Sequence, residues 1–232
     1  MRVVIAGGHG QIAMHLLRRL VERGDAPVGL VRNPDHVGDL ERIGAQAQAQ
    51  VLDLEQTDEA LVADALAGAD AAVFAAGAGP GSGAARKDTM DRAGAELFAR
   101  AAVRAGVRRH VLISAMRATR DPGPDVEEVF AAYLRAKGAA EEAVQAMDLD
   151  WTILRPGMLT NNEATGLVEL GSAVARGEVS RADVAAVIVA LLDSPATAGM
   201  VLEVVGGQQP IKDAVAELFD TTRIEHPRSK RG

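Results

Sequence analysis

Tyr133 and Lys137, in the run YLRAK, are the residues whose types and spacing most directly suggest chemistry. Tyr133 is the only tyrosine among 232 residues, and Lys137 is one of four lysines. Residues four apart lie on the same face of a helix. A phenol, whose pKa is ordinarily about 10, becomes an acid–base catalyst at neutral pH when a nearby cation stabilises its phenolate. The pair is therefore a candidate for proton transfer.

The helix predicted over residues 126–147 gives Lys137 an unusual position. At about 100° per residue, a sector of about 80° contains Val126, Phe130, Tyr133, Lys137, Ala140 and Val144. An unpaired ammonium inside such an apolar stripe is costly. Either Lys137 has a function there, or its ammonium snorkels from the edge of the stripe into water.

Ser114 is the third candidate, because it ends the apolar run RHVLIS. In an open α/β sheet, ligands bind at the carboxyl ends of the strands. The helix that carries Tyr133 and Lys137 follows next in the chain, so the three side chains are expected to converge at that edge. The alternative is that Ser114 only caps the end of its strand.

These side chains need a scaffold, and short apolar runs alternate with longer segments of helical period along the chain. That pattern is typical of a parallel sheet covered by helices on both faces. The seven predicted strands are RVVIA, APVGLV, AQAQVL, DAAVFAA, HVLIS, WTILR and MVLEVV. The helices are expected to begin near Gln11, Pro34, Gln56, Asp88, Val126 and Arg181. The predicted class is α/β, a doubly wound, mostly parallel sheet of about seven strands (Rossmann fold).

The first strand runs into the glycine turn GGHGQIA and then a helix. Gly7 permits a tight turn, and Gly10 lets backbone N–H groups approach a pyrophosphate at the positive end of the helix. Gln11 and Ile12 begin that helix beside the phosphates, and Ala13 keeps helix and sheet close. We interpret the turn as a dinucleotide site, with a merely structural turn as the alternative.

The end of the second strand indicates which dinucleotide binds. Arg32 follows the strand directly, where a guanidinium suits a 2′-phosphate, so NADP is favoured over NAD; a solvated Arg32 is the alternative. After the third strand, Asp53, followed by Leu54, occupies a position that could meet the adenine edge. Asp53 could equally cap the helix that follows.

Composition limits the remaining functions. A formal net charge of −7 argues against a nucleic-acid surface, and the chain has no cysteine and no metal-ligand spacing among its five histidines. No apolar run reaches the roughly 20 residues that span a bilayer. The start MRVVIAGG lacks the regions of a signal peptide. We expect a cytoplasmic protein, a monomer or homodimer, that acts on a small molecule without nucleic-acid, membrane or metal partners.

Together these residues resemble the short-chain dehydrogenase/reductase superfamily, and most closely its atypical NmrA-like and epimerase-like members. The blocks that carry the resemblance, in family order, are AGGHGQIA, DLEQTD, AAGAG, MDRAGA, VLISA, YLRAK, TILRPGML and VSRADVAAVIVALL. They span nearly the whole chain. Such ordered agreement is more specific than any single motif.

The resemblance implies roles for the candidate residues. Tyr133 would exchange a proton with the substrate oxygen, and Lys137 would lower the pKa of Tyr133 and hold the nicotinamide ribose. Ser114 would position the substrate oxygen. It also implies that AAGAG, with Ala75, Ala76 and Gly77, lines the cofactor, and that Pro156 and Gly157 run beside the nicotinamide. For Pro156 and Gly157, a plain turn after the sixth strand is the alternative.

Two departures limit what the resemblance implies. Many members carry an asparagine on the fourth helix that helps to organise a proton relay, and MDRAGA offers Asp91 instead. We expect residues 1–220 to form a single NAD(P)-binding domain, followed by a flexible basic tail at 221–232. Its substrate-side insertion near 157–180 is shorter than the separate substrate domain of sugar-nucleotide epimerases.

The function expected from these observations is an NADP-dependent oxidoreductase that moves hydride to a small carbonyl, quinone or flavin-like acceptor. Two alternatives remain open. One is a non-catalytic NADP(H)-binding redox sensor. The other is an epimerase or dehydratase that uses tightly held NAD.

Overall fold

The protein is described from a computed structural model that covers residues 1–79, 81–118 and 121–219. The predicted basic tail at 221–232 lies outside these residues. The strands are β1 (Arg2–Ala6), β2 (Ala26–Val31), β3 (Gln48–Val51), β4 (Ala71–Phe74), β5 (Arg109–Ile113), β6 (Asp150–Pro156), β7 (Met158–Thr160), β8 (Leu167–Gly171), β9 (Glu178–Ser180), β10 (Met200–Gly206) and β11 (Gln209–Pro210).

The central sheet has the order β11-β8-β10-β6-β5-β4-β1-β2-β3. Its seven strands from β10 to β3 are all parallel to their neighbours, and they are the seven predicted from the apolar runs. At the other edge, β8 and β11 pair in antiparallel fashion. The strand order reverses between β1 and β4, which is where a doubly wound sheet opens its ligand crevice. The Rossmann fold is confirmed.

The helices are α1 (Gln11–Glu22), α2 (Val37–Glu41), α3 (Glu59–Leu66), α4 (Ala84–Arg86), α5 (Ala95–Ala105), α6 (Glu128–Gln145), α7 (Arg181–Leu192) and α8 (Ile211–Glu217). A π-helix, Lys87–Gly94, joins α4 to α5, and short 3₁₀ turns occupy Pro34–His36 and Pro195–Thr197. The helix predicted near Asp88 therefore begins earlier, at Ala84.

Two helix starts differ from prediction because acidic side chains cap them. The Asp58 carboxylate accepts a hydrogen bond from the Leu61 N–H, so α3 starts at Glu59 rather than near Gln56. Glu127 accepts from the N–H groups of Val129 and Phe130, which starts α6 at Glu128 rather than Val126. A side chain that satisfies the first free N–H groups defines a helix N-terminus.

Alternate residues of each strand pack on opposite faces of the sheet. Val3 and Ile5 of β1 belong to the apolar layer covered by α1 and α7. Val4 and Ala6 belong to the layer covered by α3 and α5. Because both faces are closed in this way, the carboxyl ends of the strands form the open edge at which a ligand can enter.

The insertion predicted near 157–180 contains three short strands that the sequence pattern did not indicate. Strands β7 and β9 pair with each other in a small parallel sheet, and β8 joins the central sheet beside β10. Within the described ranges, no helix combines the length and apolar character needed to cross a membrane. The same residues contain no group of three or more His, Asp or Glu side chains arranged to hold a metal ion.

Candidate active site

The glycine turn after β1 brings the backbone against the segment that follows β4. Gly7 has a φ of +75°, and a Cβ there would lie 2.6 Å from the Cα of Ala76. Only glycine combines that backbone conformation with so close an approach. The Gly10 N–H donates to the Gly7 carbonyl at 2.8 Å, and Gly10 caps α1 without any side-chain hydrogen bond. The N–H groups of the first turn of α1 are therefore left for an anion.

A cleft opens between this turn, the end of β2 and the segment after β4. It is lined by Gly7, His9, Gly10, Leu30, Val31, Arg32, Asn33, His36, Ala75, Ala76, Gly77, Arg86 and Met90. Six of the predicted cofactor residues thus line this cleft: Gly7, Gly10, Arg32, Ala75, Ala76 and Gly77. Gln11 is exposed at the first position of α1, whereas Ile12 packs against the core.

Arg32 projects into this cleft with 54% of its side chain exposed. Its Nη1 lies 3.5 Å from Oε2 of Glu55, which also accepts from Arg86 at 2.9 and 3.1 Å. Burial opposes ionisation of Glu55, but the hydrogen bonds from Arg86 and Thr89 keep its pKa below the usual value. The contact of Arg32 with Glu55 is longer than those of Arg86, and more than half of the Arg32 side chain is exposed, so its guanidinium is available to another anion. Sequence reasoning missed Glu55 and Arg86.

Asp53 and Leu54 stand apart from the other predicted cofactor residues. Asp53 accepts from the Glu55 N–H at 3.0 Å and so closes a local turn, while Asp58 caps α3. Leu54 is buried in the core. Neither residue lines the cleft, and their contact with an adenine ring stays a prediction.

Lys137 is buried, with 4% of its surface exposed. Its Nζ donates to the Ile113 carbonyl at 3.1 Å and lies 3.3 Å from Oδ1 of Asp91. The same Nζ lies 5.8 Å from the ring centroid of Tyr133. The ammonium therefore points inward to an anion and a carbonyl, and the snorkelling alternative is wrong.

Asp91, the departure from the family asparagine, is the partner that holds Lys137. It lies on the π-helix, is 1% exposed, and its Oδ2 accepts from the Ala78 N–H at 3.1 Å. A Cβ on Gly77 would lie 3.0 Å from Oδ1 of Asp91. Asp91 thus links the cofactor-side segment after β4 to the lysine of α6.

The pairing of Lys137 with Asp91 changes the expected chemistry of Tyr133. The resemblance implied that Lys137 lowers the pKa of Tyr133. In this structure, burial and the negative charge of Asp91 raise that pKa above its ordinary value. The ring of Tyr133 also stacks on exposed Phe130, with centroids 6.0 Å apart, and Lys87 lies 5.5 Å from its centroid. Tyr133 is accordingly a protonated phenol at neutral pH.

Ser114 follows β5 directly and completes the cluster. Its N–H donates to the Leu154 carbonyl, and it is adjacent to Ile113, whose carbonyl binds Lys137. Ser114 is 4% exposed, and its Oγ has no hydrogen-bond partner in the part of the chain that the structure describes. A buried hydroxyl in that state is suited to an incoming oxygen atom.

Comparison with known proteins shows which family the chain belongs to. A model of the family described as NAD(P)H-binding matches residues 7–195. The chain belongs to the NAD(P)H-binding family. It is 33% identical to a Bacillus subtilis protein named as the uncharacterized sugar epimerase YhfK, over 94% of this chain and 100% of that one.

Two solved structures are similar to this NAD(P)H-binding protein over most of their length. A protein from Bacillus halodurans, named as an NAD-dependent epimerase/dehydratase, has a TM-score of 0.86 and 36% identity, covering 94% of this chain and 100% of that one. The oxidoreductase ylbE from Lactococcus lactis has a TM-score of 0.83 and 26% identity, covering 97% and 100%. The resemblance to atypical short-chain dehydrogenases/reductases is confirmed.

The residues of this NAD(P)H-binding protein fit a dinucleotide. The uncapped start of α1 suits a pyrophosphate, and the Ser114 hydroxyl, without a partner among the described residues, suits an oxygen atom. Packing alone accounts for the glycine after Pro156. A Cβ on Gly157 would lie 2.3 Å from the Gly177 carbonyl oxygen, so packing against the insertion already requires glycine there. The contact of Pro156 and Gly157 with the nicotinamide stays a prediction.

Proposed function

We propose that this protein is an NADP-dependent oxidoreductase that transfers hydride to a small carbonyl, quinone or flavin-like acceptor. The observation that carries the proposal is the cluster at the carboxyl edge of the sheet. There the buried Lys137 ammonium lies 5.8 Å from the Tyr133 ring centroid and donates to the Ile113 carbonyl. The next residue, Ser114, has a hydroxyl without a partner among the described residues, which leaves it available to a ligand. The cluster adjoins a cleft with an uncapped helix N-terminus.

Each part of the dinucleotide has residues suited to hold it. Gly7 and Gly10 would receive the pyrophosphate, with Gln11 and Ile12 at the start of α1. Ala75, Ala76 and Gly77 would line its other side, and Lys137 would contact the nicotinamide ribose. When bound, the reduced dinucleotide supplies the hydride.

The chain's own side chains would manage the proton and the substrate oxygen. Tyr133, kept protonated by burial and by Asp91, would donate its hydroxyl proton to the oxygen as the carbon receives hydride. Ser114 would hold that oxygen through its free hydroxyl.

The preference for NADP rests on Arg32. Its guanidinium is half-exposed in the cleft, and its ion pair with Glu55 is long, at 3.5 Å. A guanidinium binds phosphate through paired, charge-assisted hydrogen bonds, which the ribose hydroxyl of NAD cannot match. Arg86 adds a second positive charge to the lining of the cleft.

The reductase proposal is tested by following NADPH absorbance with purified protein and a panel of quinones, flavins and small ketones. We expect oxidation of NADPH with at least one acceptor, and slower oxidation of NADH. NADPH binding without reduction of any acceptor in the panel would contradict catalysis and support the redox-sensor alternative.

An epimerase or dehydratase is the second candidate, because YhfK and the Bacillus halodurans protein carry such names. The short insertion with β7, β8 and β9 weighs against a sugar nucleotide, whose recognition needs more surface. Such enzymes recycle a tightly held cofactor. Release of NAD from the purified, denatured protein would favour this candidate, whereas cofactor-free protein that oxidises added NADPH would favour the reductase.

A further inference from the structure

We propose that Asp91 is a positioning residue that anchors the Lys137 ammonium beside Tyr133 and ties it to the backbone of the segment after β4. This inference rests on the proposed function, because it assigns Asp91 to the same site. Because Asp91 is a carboxylate, it can form an ion pair with the buried Lys137 ammonium.

The geometry around Asp91 supports the proposal from two sides. Oδ1 faces Lys137 at 3.3 Å, and Oδ2 accepts from the Ala78 N–H at 3.1 Å. One carboxylate thus joins α6 to the segment that lines the cofactor cleft. The π-helix that carries Asp91 has an extra residue in its turn, and such bulges redirect side chains at functional sites.

The pair is enclosed, so water does not screen it. Asp91 is 1% and Lys137 4% exposed, and the Phe74 ring centroid lies 5.8 Å from the lysine Nζ. Gly77 has no side chain, and this leaves room for Oδ1 of Asp91. A buried charge pair interacts more strongly than an exposed one, and loss of one partner is correspondingly costly.

Other charged groups around Lys137 are already engaged. Glu141, one helical turn after Lys137, forms an ion pair with Arg155 at the end of β6. Lys87 of the π-helix donates to the Gly79 carbonyl and lies over the Tyr133 ring. In residues 1–79, 81–118 and 121–219, Asp91 is the only carboxylate within ion-pair distance of Lys137.

The Asp91–Lys137 ion pair affects the ionisation of the Tyr133 phenol. A free ammonium beside Tyr133 would favour the phenolate, but Asp91 offsets that charge and favours the neutral form. The raised pKa of Tyr133 agrees with that direction, through burial and the charge of Asp91. Asp91 would thereby keep Tyr133 as a proton donor and hold Lys137 in place before the cofactor arrives.

The test uses the fact that Tyr133 is the only tyrosine and Trp151 the only tryptophan in the chain. Phenolate absorbance of the cofactor-free protein reports ionisation of Tyr133, and Trp151 fluorescence reports the pH range over which the protein stays folded. Wild-type protein should show no phenolate near pH 10, the ordinary value for tyrosine. Asp91→Asn should form phenolate at lower pH than wild type.

Asp88→Asn is the matched control, because Asp88 lies on the same helix but is exposed and paired with Arg92. It should titrate as wild type does. Coincident phenolate curves for Asp91→Asn and wild type would overturn the proposal. If Asp91→Asn does not fold, wild-type protein alone decides: phenolate formation at or below about pH 10 in the folded range would overturn it.

Calorimetry with NADPH gives an independent reading. Asp91→Asn should bind NADPH about tenfold more weakly than Asp88→Asn, because Lys137 and the Ala78 backbone lose their common anchor. Equal affinities would contradict the anchoring role. The phenolate titration needs neither cofactor nor substrate. Failure of the Asp91 proposal can therefore be distinguished from failure of the reductase proposal.

Discussion

At the proposed phosphate end of the site the candidate binding groups belong to the backbone, and at the proposed reacting end they belong to side chains. The turn through Gly7 and Gly10 leads into α1, whose first-turn N–H groups have no side-chain cap. At the other end, Asp91, Lys137 and Ser114 come from the π-helix, α6 and the residue after β5. The first end is shaped by the path of the chain, and the second by contacts between separate elements.

Substitutions at the two ends should therefore have different effects on binding and stability. At Gly10, an added Cβ would meet only the Gly7 and Ala75 carbonyl oxygens, at 3.1 and 3.8 Å, so a side chain there would occupy the space of the ligand without entering the core. A side chain removed at the reacting end leaves a buried partner unpaired, which lowers stability as well as function. Substitutions at each end can separate these effects.

The largest expected effect is at the phosphate end. In Gly10→Asp, a carboxylate would stand at the start of α1, where a pyrophosphate must approach, and it would compete for the same N–H groups. We expect calorimetry to detect no binding of NADPH or NADH. The far-ultraviolet circular dichroism of the variant should match wild type, and wild-type affinity in a folded variant would remove the phosphate-turn assignment.

At the reacting end, Lys137→Met keeps the apolar stem but leaves Asp91 buried without its cation. We expect the free energy of unfolding to fall by about 3 to 5 kcal/mol in urea titrations. Lys212→Met, at an exposed position on α8, is the control and should change it by less than about 0.5 kcal/mol. A Lys137→Met protein as stable as the control would mean that the Asp91 pair contributes nothing to the fold.

A smaller effect is expected at Arg32, which sharpens the assignment of the phosphate end. Arg32→Ala should weaken NADPH binding by about 1.5 to 3 kcal/mol, the value of a charge-assisted hydrogen bond, and leave NADH nearly unchanged. Arg104→Ala, an exposed arginine of α5, controls for the loss of surface charge. Equal losses for the two cofactors would show that Arg32 does not contact the 2′-phosphate.

The contrast between the two ends also explains what the sequence could predict. The seven parallel strands and the glycine turn follow from local signals, namely apolar runs and glycines at fixed offsets. Strands β7, β9 and β11 are two or three residues long, too short to show any periodicity. Their pairing depends on tertiary contacts that the local pattern does not contain.

The reacting end could be predicted only in part, for the same reason. Lys137 was recognised because a charge within an apolar stripe needs a partner. The partner, Asp91, lies 46 residues earlier, and its orientation depends on a π-helix with no clear sequence signature. Glu55 and Arg86, 31 residues apart, were missed because their contact forms only when the sheet is assembled.

The central claim, that Tyr133 is the proton donor of a reductase, is tested most directly with Tyr133→Phe and an acceptor identified from the panel. The variant should bind NADPH with nearly wild-type affinity, because in the proposed mechanism the lost hydroxyl would contact the substrate oxygen and not the cofactor. Its turnover should fall by about 10² to 10⁴, the usual loss when a general acid is removed. Turnover at the wild-type rate in a folded variant would contradict the claim.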